Sequence, residues 1–218
     1  MYRKKAVPLG FSRRILRGEQ QKMVQAFLRH FPPTPSLRVL DLGTNASLER
    51  RDMYAFQSHY PHPSNTVACG LEDAAIFSSL FPEVPYVRAT RGEPLPFADN
   101  SFDVVHCAAV IEHVGNRQAQ RAFIAEALRV AKAAFFTTPN RWFPIELHTV
   151  LPFVHYLPKA PRERVLRKLG FDFFADEANL NLLTRGELLE LVPSGRRAIV
   201  DSHYFLGLPS NLLLVIPA

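Results

Sequence analysis

The sequence predicts an α/β fold in which helices cover both faces of a doubly wound, mostly parallel sheet. Between residues 19 and 138, short and continuously apolar segments alternate with segments of helical periodicity. Continuous hydrophobicity is typical of strands buried on both faces, and its alternation with helices is typical of parallel βαβ units. A chain of 218 residues suffices for one large core, so we expect a single domain over residues 1–218.

The elements up to residue 138 follow from this periodicity. A basic N-terminal segment, residues 1–36, contains a predicted amphipathic helix at Glu19–Phe31, which the following prolines end. Buried strands are then predicted at Leu37–Leu42, Asn65–Glu72, Tyr86–Ala89, Phe102–Ala108 and Ala133–Thr138, with helices at Asp73–Phe81 and Arg117–Ala131. Each strand therefore leads into a turn at the same expected edge of the sheet.

The alternation of strands and helices breaks after Pro139. Residues 139–158 carry four prolines and the aromatic side chains Trp142, Phe143, Phe153 and Tyr156, and a basic helix is predicted near 160–169. A helix at Arg185–Leu191 and late strands at Ala198–Ser202 and Asn211–Ile216 then complete one edge of the sheet. We therefore expect an inserted cap over residues 139–170, in which residues 139–158 are partly mobile and cover an apolar acceptor pocket.

Composition and charge limit the classes of protein. Apolar runs such as Leu212–Ile216 are too short to span a bilayer, and the N-terminus lacks the apolar stretch of a secretory signal. Cys69 and Cys107 lie in apolar strands, which favours buried thiols in a reducing compartment, and we predict a cytoplasmic protein. The net charge is +6 and two basic clusters stand out: Arg3, Lys4, Lys5, Arg13, Arg14 and Arg17, and Lys159, Arg162, Arg164, Arg167 and Lys168. They can attract nucleic acid, anionic lipid or phosphorylated substrates, or simply be a solvated basic face.

Candidate ligand-binding residues fall at the carboxyl ends of the predicted strands. Asp41 and Gly43 end the first strand, Glu72 ends the second, and Ala108 ends the fourth. Open α/β sheets bind ligands at this edge, where a carboxylate such as that of Glu72 can accept hydrogen bonds from ribose hydroxyls.

Three segments carry a resemblance to a known family. VLDLG at residues 39–43, CGLE at 69–72 and LPFADNSFDVVHCAAVIEHV at 95–114 resemble the class I S-adenosylmethionine-dependent methyltransferases, in particular their small-molecule, type 11-like branch. The resemblance implies a Rossmann-like sheet of seven strands with an antiparallel last strand, and S-adenosylmethionine as cofactor. It also implies that Gly43 and its neighbours approach the methionine part, that Glu72 holds the ribose, and that Ala108 passes beside the transferred methyl. The implied cofactor-binding set is Asp41, Gly43, Thr44, Asn45, Leu71, Glu72, Asp73 and Ala108.

Two features depart from the family's pattern. Asn45 and Ser47 stand where glycines usually recur, and Asn45 is expected to preserve a left-handed turn because asparagine tolerates that backbone. Arg91 stands where an acidic residue often contacts adenine, and a guanidinium accepts no hydrogen bond. A non-catalytic, methyltransferase-like binding protein with a degenerate cofactor loop is therefore one alternative function.

The acceptor is predicted to be small and hydrophobic or lipid-linked. If its reacting atom is a hydroxyl oxygen, His113 after the fourth strand and His148 in the cap are the candidate catalytic residues for proton removal, with Glu146 in a position to orient His148. His106 is expected to be structural, and the spacing of His148 and His155 predicts no metal site. An RNA or DNA methyltransferase is a second alternative, but the sequence lacks an N/D-P-P-[FYW] stretch after the fourth strand.

Overall fold

A computed structural model describes residues 11–51 and 54–218, so Arg3, Lys4 and Lys5 of the basic N-terminal cluster lie outside the described residues, as do the side chains of Arg13 and Arg14. The strands are β1 Val39–Leu42, β2 Thr66–Gly70, β3 Tyr86–Arg88, β4 Phe102–Ala108, β5 Ala131–Pro139, β6 Ile145–Glu146, β7 Leu151–Pro152, β8 Ile199–Phe205 and β9 Leu208–Ile216. The helices are α1 Phe11–His30, α2 Ala55–His59, α3 Ala75–Leu80, α4 Arg117–Val130, α5 Lys159–Lys168, α6 Asp172–Ala175 and α7 Arg185–Glu190.

Seven of the strands form one sheet in the order β3-β2-β1-β4-β5-β9-β8. The first five strands of this order are parallel, whereas β9 pairs antiparallel with both β5 and β8. The predicted mostly parallel, seven-stranded sheet with an antiparallel last strand is therefore confirmed. The order reverses between β1 and β4, which brings the carboxyl ends of β1, β2 and β4 to one edge of the sheet.

Helices cover both faces of the sheet because alternate strand residues point to opposite sides. Leu40 of β1 packs with Ile124 of α4 and Leu188 of α7 on one face. Its neighbour Val39 packs with Phe27 of α1 and α2 residues on the other face. Both faces are apolar, which explains why the strands show continuous rather than alternating hydrophobicity.

The boundaries of two elements differ from the prediction in ways that matter for the site. β2 ends at Gly70, so Leu71 and Glu72 lie in the turn beyond the strand rather than within it. β5 begins at Ala131, directly after α4, and runs to Pro139. The sequence did not indicate that β2 ends at Gly70, because the apolar Leu71 follows it directly.

The chain between β5 and α7 folds as a small unit outside the main sheet. β6 and β7 form a short antiparallel hairpin, and Val154, Leu166 and Ala175 form a separate apolar cluster that joins α5 and α6. The prolines therefore limit the hairpin to two residue pairs rather than preventing regular structure. We call residues 139–170 the cap, and its mobility stays a prediction.

Two further sequence-based expectations concern thiols and membranes. Cys69 and Cys107 are both free and buried, and burial raises the pKa of the Cys69 thiol to about 11. Within the described ranges, no helix combines the length and hydrophobicity that crossing a bilayer requires.

Candidate active site

The candidate site lies where β1, β2 and β4 end. Leu42 is in register with Cys69, and Asp41 with His106, so the turns after these strands meet at one edge. The turns contain Gly43, Leu71 to Asp73, and Ala108 with the segment that follows it. The structure thus brings the predicted cofactor-binding residues together, although they do not all face the same space.

The first turn is held tightly against β2. The backbone amides of Gly43 and Thr44 both donate to the carbonyl oxygen of Cys69, at 2.7 and 2.9 Å. Gly43 has φ +90°, and a β-carbon there would lie 2.2 Å from Cγ2 of Val110. These two amides are therefore already occupied, and glycine is required by both the backbone conformation and the close packing of Val110.

Asp41 lies beneath this turn. Its buried carboxylate accepts hydrogen bonds from Oγ1 of Thr44 and Nε2 of Gln57, both at 2.6 Å, and contacts Nδ1 of His106 at 2.6 Å. The His106 ring in turn stacks on Phe56 with a centroid distance of 4.2 Å. Asp41 and Thr44 therefore shape the turn from below, and His106 has the structural role that the sequence predicts.

Asn45 supports the turn in a different way from the one expected. Its backbone is not left-handed, so the prediction that it replaces glycine in that conformation is wrong. Instead, Oδ1 of Asn45 accepts hydrogen bonds from the amide and the hydroxyl of Ser47, at 3.0 and 2.6 Å. A side chain that bonds to the backbone two residues ahead forms its own tight turn, so glycines are not needed at these positions.

The turn after β2 carries two acidic side chains, Glu72 and Asp73, whose hydrogen bonding differs. Leu71, Glu72 and Asp73 are all exposed. The carbonyl oxygen of Glu72 accepts a hydrogen bond from Tyr86 at 3.1 Å, while its carboxylate has no hydrogen-bond partner among the described residues. Asp73 instead accepts from the amide of Ala75 at the start of α3. Of the two acids, Glu72 is therefore the one whose carboxylate is available to a ligand.

The segment after β4 is strained. Ala109 has φ +55°, an uncommon conformation for a residue with a β-carbon, and its amide donates to Thr137 at 2.9 Å. This conformation follows the exposed Ala108 and directs the chain back over the first turn, where Val110 packs on Gly43. Such strain is often found at functional sites.

Arg91 joins segments that are far apart in the sequence. Its guanidinium donates to the carbonyl oxygens of His113, at 2.9 Å, and Ala178, at 3.4 Å. Arg91, which departs from the family's pattern, therefore holds the turn that carries His113 in place. This contact could not be predicted from the local sequence.

The two predicted catalytic histidines face each other. Nδ1 of His113 contacts the carbonyl oxygen of Asn179 at 2.6 Å, and Nδ1 of His148 contacts the carboxylate of Glu146 at 2.7 Å. The Nε2 atoms of His113 and His148 are 3.2 Å apart. The fold thus brings a cap residue to a residue of the sheet edge across 35 positions of the chain.

Glu146 is positioned to orient His148 because the chain turns directly after β6. Its carboxylate also accepts from the amide of His148 and from the amide and hydroxyl of Thr149. Burial alone would raise the pKa of Glu146, but the hydrogen bonds from His148 and Thr149 outweigh it and lower the pKa to about 2. Burial likewise opposes the protonated form of His148, but the contact with Glu146 raises its pKa overall.

Glu112 is a functional candidate that the sequence analysis missed. It is fully buried, Oε2 accepts from the Thr138 hydroxyl at 3.0 Å, and Oε1 has no hydrogen-bond partner within residues 11–51 and 54–218. Oε1 lies 4.0 Å from Nε2 of His113, and burial raises the pKa of this carboxyl. The donor atoms of Glu112, His113 and His148 lie within 4.8 Å of one another, although chain spacing predicts no metal site. The available signal was an acid directly before His113.

Comparisons with known proteins agree with this architecture. A family model described as a methyltransferase domain matches residues 41–134. A ubiquinone biosynthesis O-methyltransferase from Aromatoleum aromaticum is 30% identical over 126 residues, which cover 57% of this chain and 53% of the relative. The chain thus spans about half the length of this curated relative.

Solved structures support the same fold. The magnesium protoporphyrin IX methyltransferase of Synechocystis, determined with bound S-adenosylhomocysteine, has a TM-score of 0.59 and 14% identity, covering 98% of this chain and 90% of that one. A Thermotoga maritima methyltransferase, described as a possible histamine N-methyltransferase, has a TM-score of 0.58 and 14% identity, covering 94% and 89%. S-adenosylmethionine, the cofactor that the sequence predicts, is the methyl donor of methyltransferases with this fold. Residues 41–134 therefore match a methyltransferase domain, and the chain has the fold of S-adenosylmethionine-dependent methyltransferases that its motifs predict.

Proposed function

We propose that the protein transfers a methyl group from S-adenosylmethionine to an oxygen atom of a small, hydrophobic acceptor. The observation that carries this proposal is the pair formed by His113 and His148 at the edge where the cofactor is expected, with Nε2 atoms 3.2 Å apart. Methyl transfer is an in-line displacement in which the sulfur–carbon bond breaks as the oxygen–carbon bond forms, and the hydroxyl proton must leave. An imidazole nitrogen beside the acceptor oxygen can receive that proton.

The cofactor would lie across the turns after β1, β2 and β4. Gly43 and its neighbours would approach the methionine part, and the unpartnered carboxylate of Glu72 would accept hydrogen bonds from the ribose hydroxyls. Leu71 and Asp73 would flank the adenosine. Asp41 and Thr44 would act indirectly, because their side chains bond to each other beneath the turn.

Exposed apolar side chains of the cap favour a hydrophobic acceptor. Trp142 and Phe153 are both 58% exposed, and Val150 and Phe153 have left-handed backbones at φ +58° and +56°. A left-handed conformation is unfavourable for a β-branched residue such as Val150, and such strain is often found at functional sites. Exposed apolar side chains that lie together commonly mark binding surfaces. The Aromatoleum aromaticum relative is named as an O-methyltransferase of ubiquinone biosynthesis, which also favours methyl transfer to an oxygen atom.

The cofactor assignment is tested by substituting Glu72. Glu72→Ala is expected to weaken binding of S-adenosylmethionine by about 1.5–3 kcal/mol, because a hydrogen bond to a charged acceptor is lost. Isothermal titration calorimetry measures this, and Glu190→Ala on the exposed side of α7 is the matched control. Equal affinity in the two variants would remove Glu72 from the site.

The acceptor assignment is tested by turnover. Release of S-adenosylhomocysteine is expected with a hydroxylated benzoquinol that carries an apolar side chain, and not with its fully O-methylated analogue. Turnover only with RNA or DNA, with an affinity that falls steeply as salt rises, would instead favour the nucleic-acid alternative. Cofactor binding without turnover on any acceptor would favour a non-catalytic role. The cytoplasmic location predicted from the two buried free cysteines remains part of this proposal.

A further inference from the structure

The protonation states of the two facing histidines can be deduced from their other contacts. A carbonyl oxygen only accepts hydrogen bonds, so Nδ1 of His113, 2.6 Å from the carbonyl oxygen of Asn179, carries a hydrogen. Nδ1 of His148 likewise donates to the carboxylate of Glu146 at 2.7 Å. In the neutral forms, both Nε2 atoms therefore present lone pairs, and these lone pairs face each other across 3.2 Å.

Two facing lone pairs repel unless a positive charge lies between them, either a proton that the two rings share as a hydrogen bond or a metal ion. The positions of the atoms match the requirement of a metal ion, because two imidazole nitrogens bound to Zn²⁺ at 2.0–2.1 Å in tetrahedral geometry lie about 3.3 Å apart. The observed separation of the Nε2 atoms of His113 and His148 is 3.2 Å. The separation of the two Nε2 atoms is therefore already that of two nitrogens bound to one cation.

A third donor stands beside the pair. Oε1 of the fully buried Glu112 has no hydrogen-bond partner in the part of the chain that the structure describes, and it lies 4.0 Å from Nε2 of His113. A buried carboxylate oxygen without a partner is costly, and coordination of a cation would remove that cost. The three donor atoms lie within 4.8 Å of one another.

Each of the three donor side chains is also held in place by a second hydrogen bond. Metal-binding histidines usually donate their second nitrogen to a carboxylate or a backbone carbonyl, which fixes the ring and its tautomer. His148 has the carboxylate of Glu146, and His113 has the carbonyl of Asn179. Glu112 is held through its other oxygen by the Thr138 hydroxyl.

We propose that Glu112, His113 and His148 bind a divalent transition-metal cation such as Zn²⁺. A donor set of two imidazoles and one carboxylate binds such cations in preference to Mg²⁺ or Ca²⁺. The side chains of His113 and His148 are 34% and 18% exposed, so the cation would keep a coordination position that a further ligand can reach. With the proposed function, on which this last step rests, that ligand is the acceptor's hydroxyl oxygen, and the cation would favour loss of its proton to solvent as the oxygen–carbon bond forms.

The site is tested with untagged, full-length protein treated with a chelator and then dialysed. Titration with Zn²⁺, followed by calorimetry, is expected to show one equivalent bound per chain. Glu112→Gln and His148→Gln are each expected to weaken binding at least tenfold. At a free Zn²⁺ concentration of 100 times Kd, the midpoint of thermal unfolding of the unsubstituted protein should rise by about 5–10 °C.

His203→Gln is the matched control, because Nε2 of His203 contacts a carboxylate of Glu19 at 2.6 Å in a pair that includes none of the three proposed ligands. This variant should bind Zn²⁺ as the unsubstituted protein does. The absence of saturable Zn²⁺ binding to folded, unsubstituted protein would overturn the proposal, as would equal affinity in Glu112→Gln, His148→Gln and the control. Cofactor binding, measured separately through Glu72, does not depend on the cation, so the two assignments can fail independently.

Discussion

Gly70→Ala is expected to weaken binding of S-adenosylmethionine at least tenfold and to lower the free energy of unfolding by about 1–3 kcal/mol. A β-carbon at Gly70 would lie 2.1 Å from the carbonyl oxygen of Thr44 and 2.6 Å from the hydroxyl of Tyr86. The Thr44 backbone cannot easily retreat, because the amides of Gly43 and Thr44 both bond to Cys69. The added methyl group should therefore push the first turn out of place.

Gly186→Ala makes the same chemical change where space is available. A β-carbon there would have no neighbour within 4 Å, and Gly186 lies in α7. This variant should raise the free energy of unfolding by about 0.4–1 kcal/mol and leave cofactor affinity unchanged. Calorimetry and urea unfolding measure both quantities. If Gly70→Ala loses stability but keeps its affinity, the first turn does not form part of the cofactor site.

The order of strands and helices could be predicted because burial on both faces leaves a strong local signal. Val39 and Leu40 are adjacent and both fully buried, on opposite faces of the sheet. Such a pair is diagnostic of a central parallel strand. The sequence motifs then located the turns, because Gly43 and Glu72 follow strands of this kind and Ala108 is the last residue of β4.

What the residues do within those turns was harder to predict, because it depends on contacts between distant segments. Asp41 suits a ligand-facing role by position, yet Gln57 and His106 occupy its carboxylate from neighbouring elements. Asn45 suits a left-handed backbone by residue type, yet it bonds to Ser47 instead. Glu112 carries no periodic signal, and only the fold shows that it is buried without a partner for one oxygen.

His113→Ala is expected to lower turnover at least tenfold while leaving affinity for S-adenosylmethionine nearly intact. The loss corresponds to roughly 1.4 kcal/mol or more of transition-state stabilisation. The reason is that His113 faces His148 at the sheet edge, whereas the residues proposed to hold the cofactor lie on the turns after β1 and β2. His203→Ala, outside the site, should retain the turnover of the unsubstituted protein.

The same substitution separates the two ways in which the histidines could activate an acceptor oxygen. If an imidazole takes the proton directly, chelator-treated protein should keep its turnover, and His113→Ala should lose it. If the histidines act by holding a cation, chelation and His113→Ala should each lower turnover, and Zn²⁺ should restore only the chelated protein. We expect the second pattern, because the Nε2 atoms of His113 and His148 lie 3.2 Å apart and Oε1 of Glu112 lies 4.0 Å from Nε2 of His113. Turnover retained in both His113→Ala and His148→Ala would contradict either mechanism and would leave positioning alone as the source of catalysis.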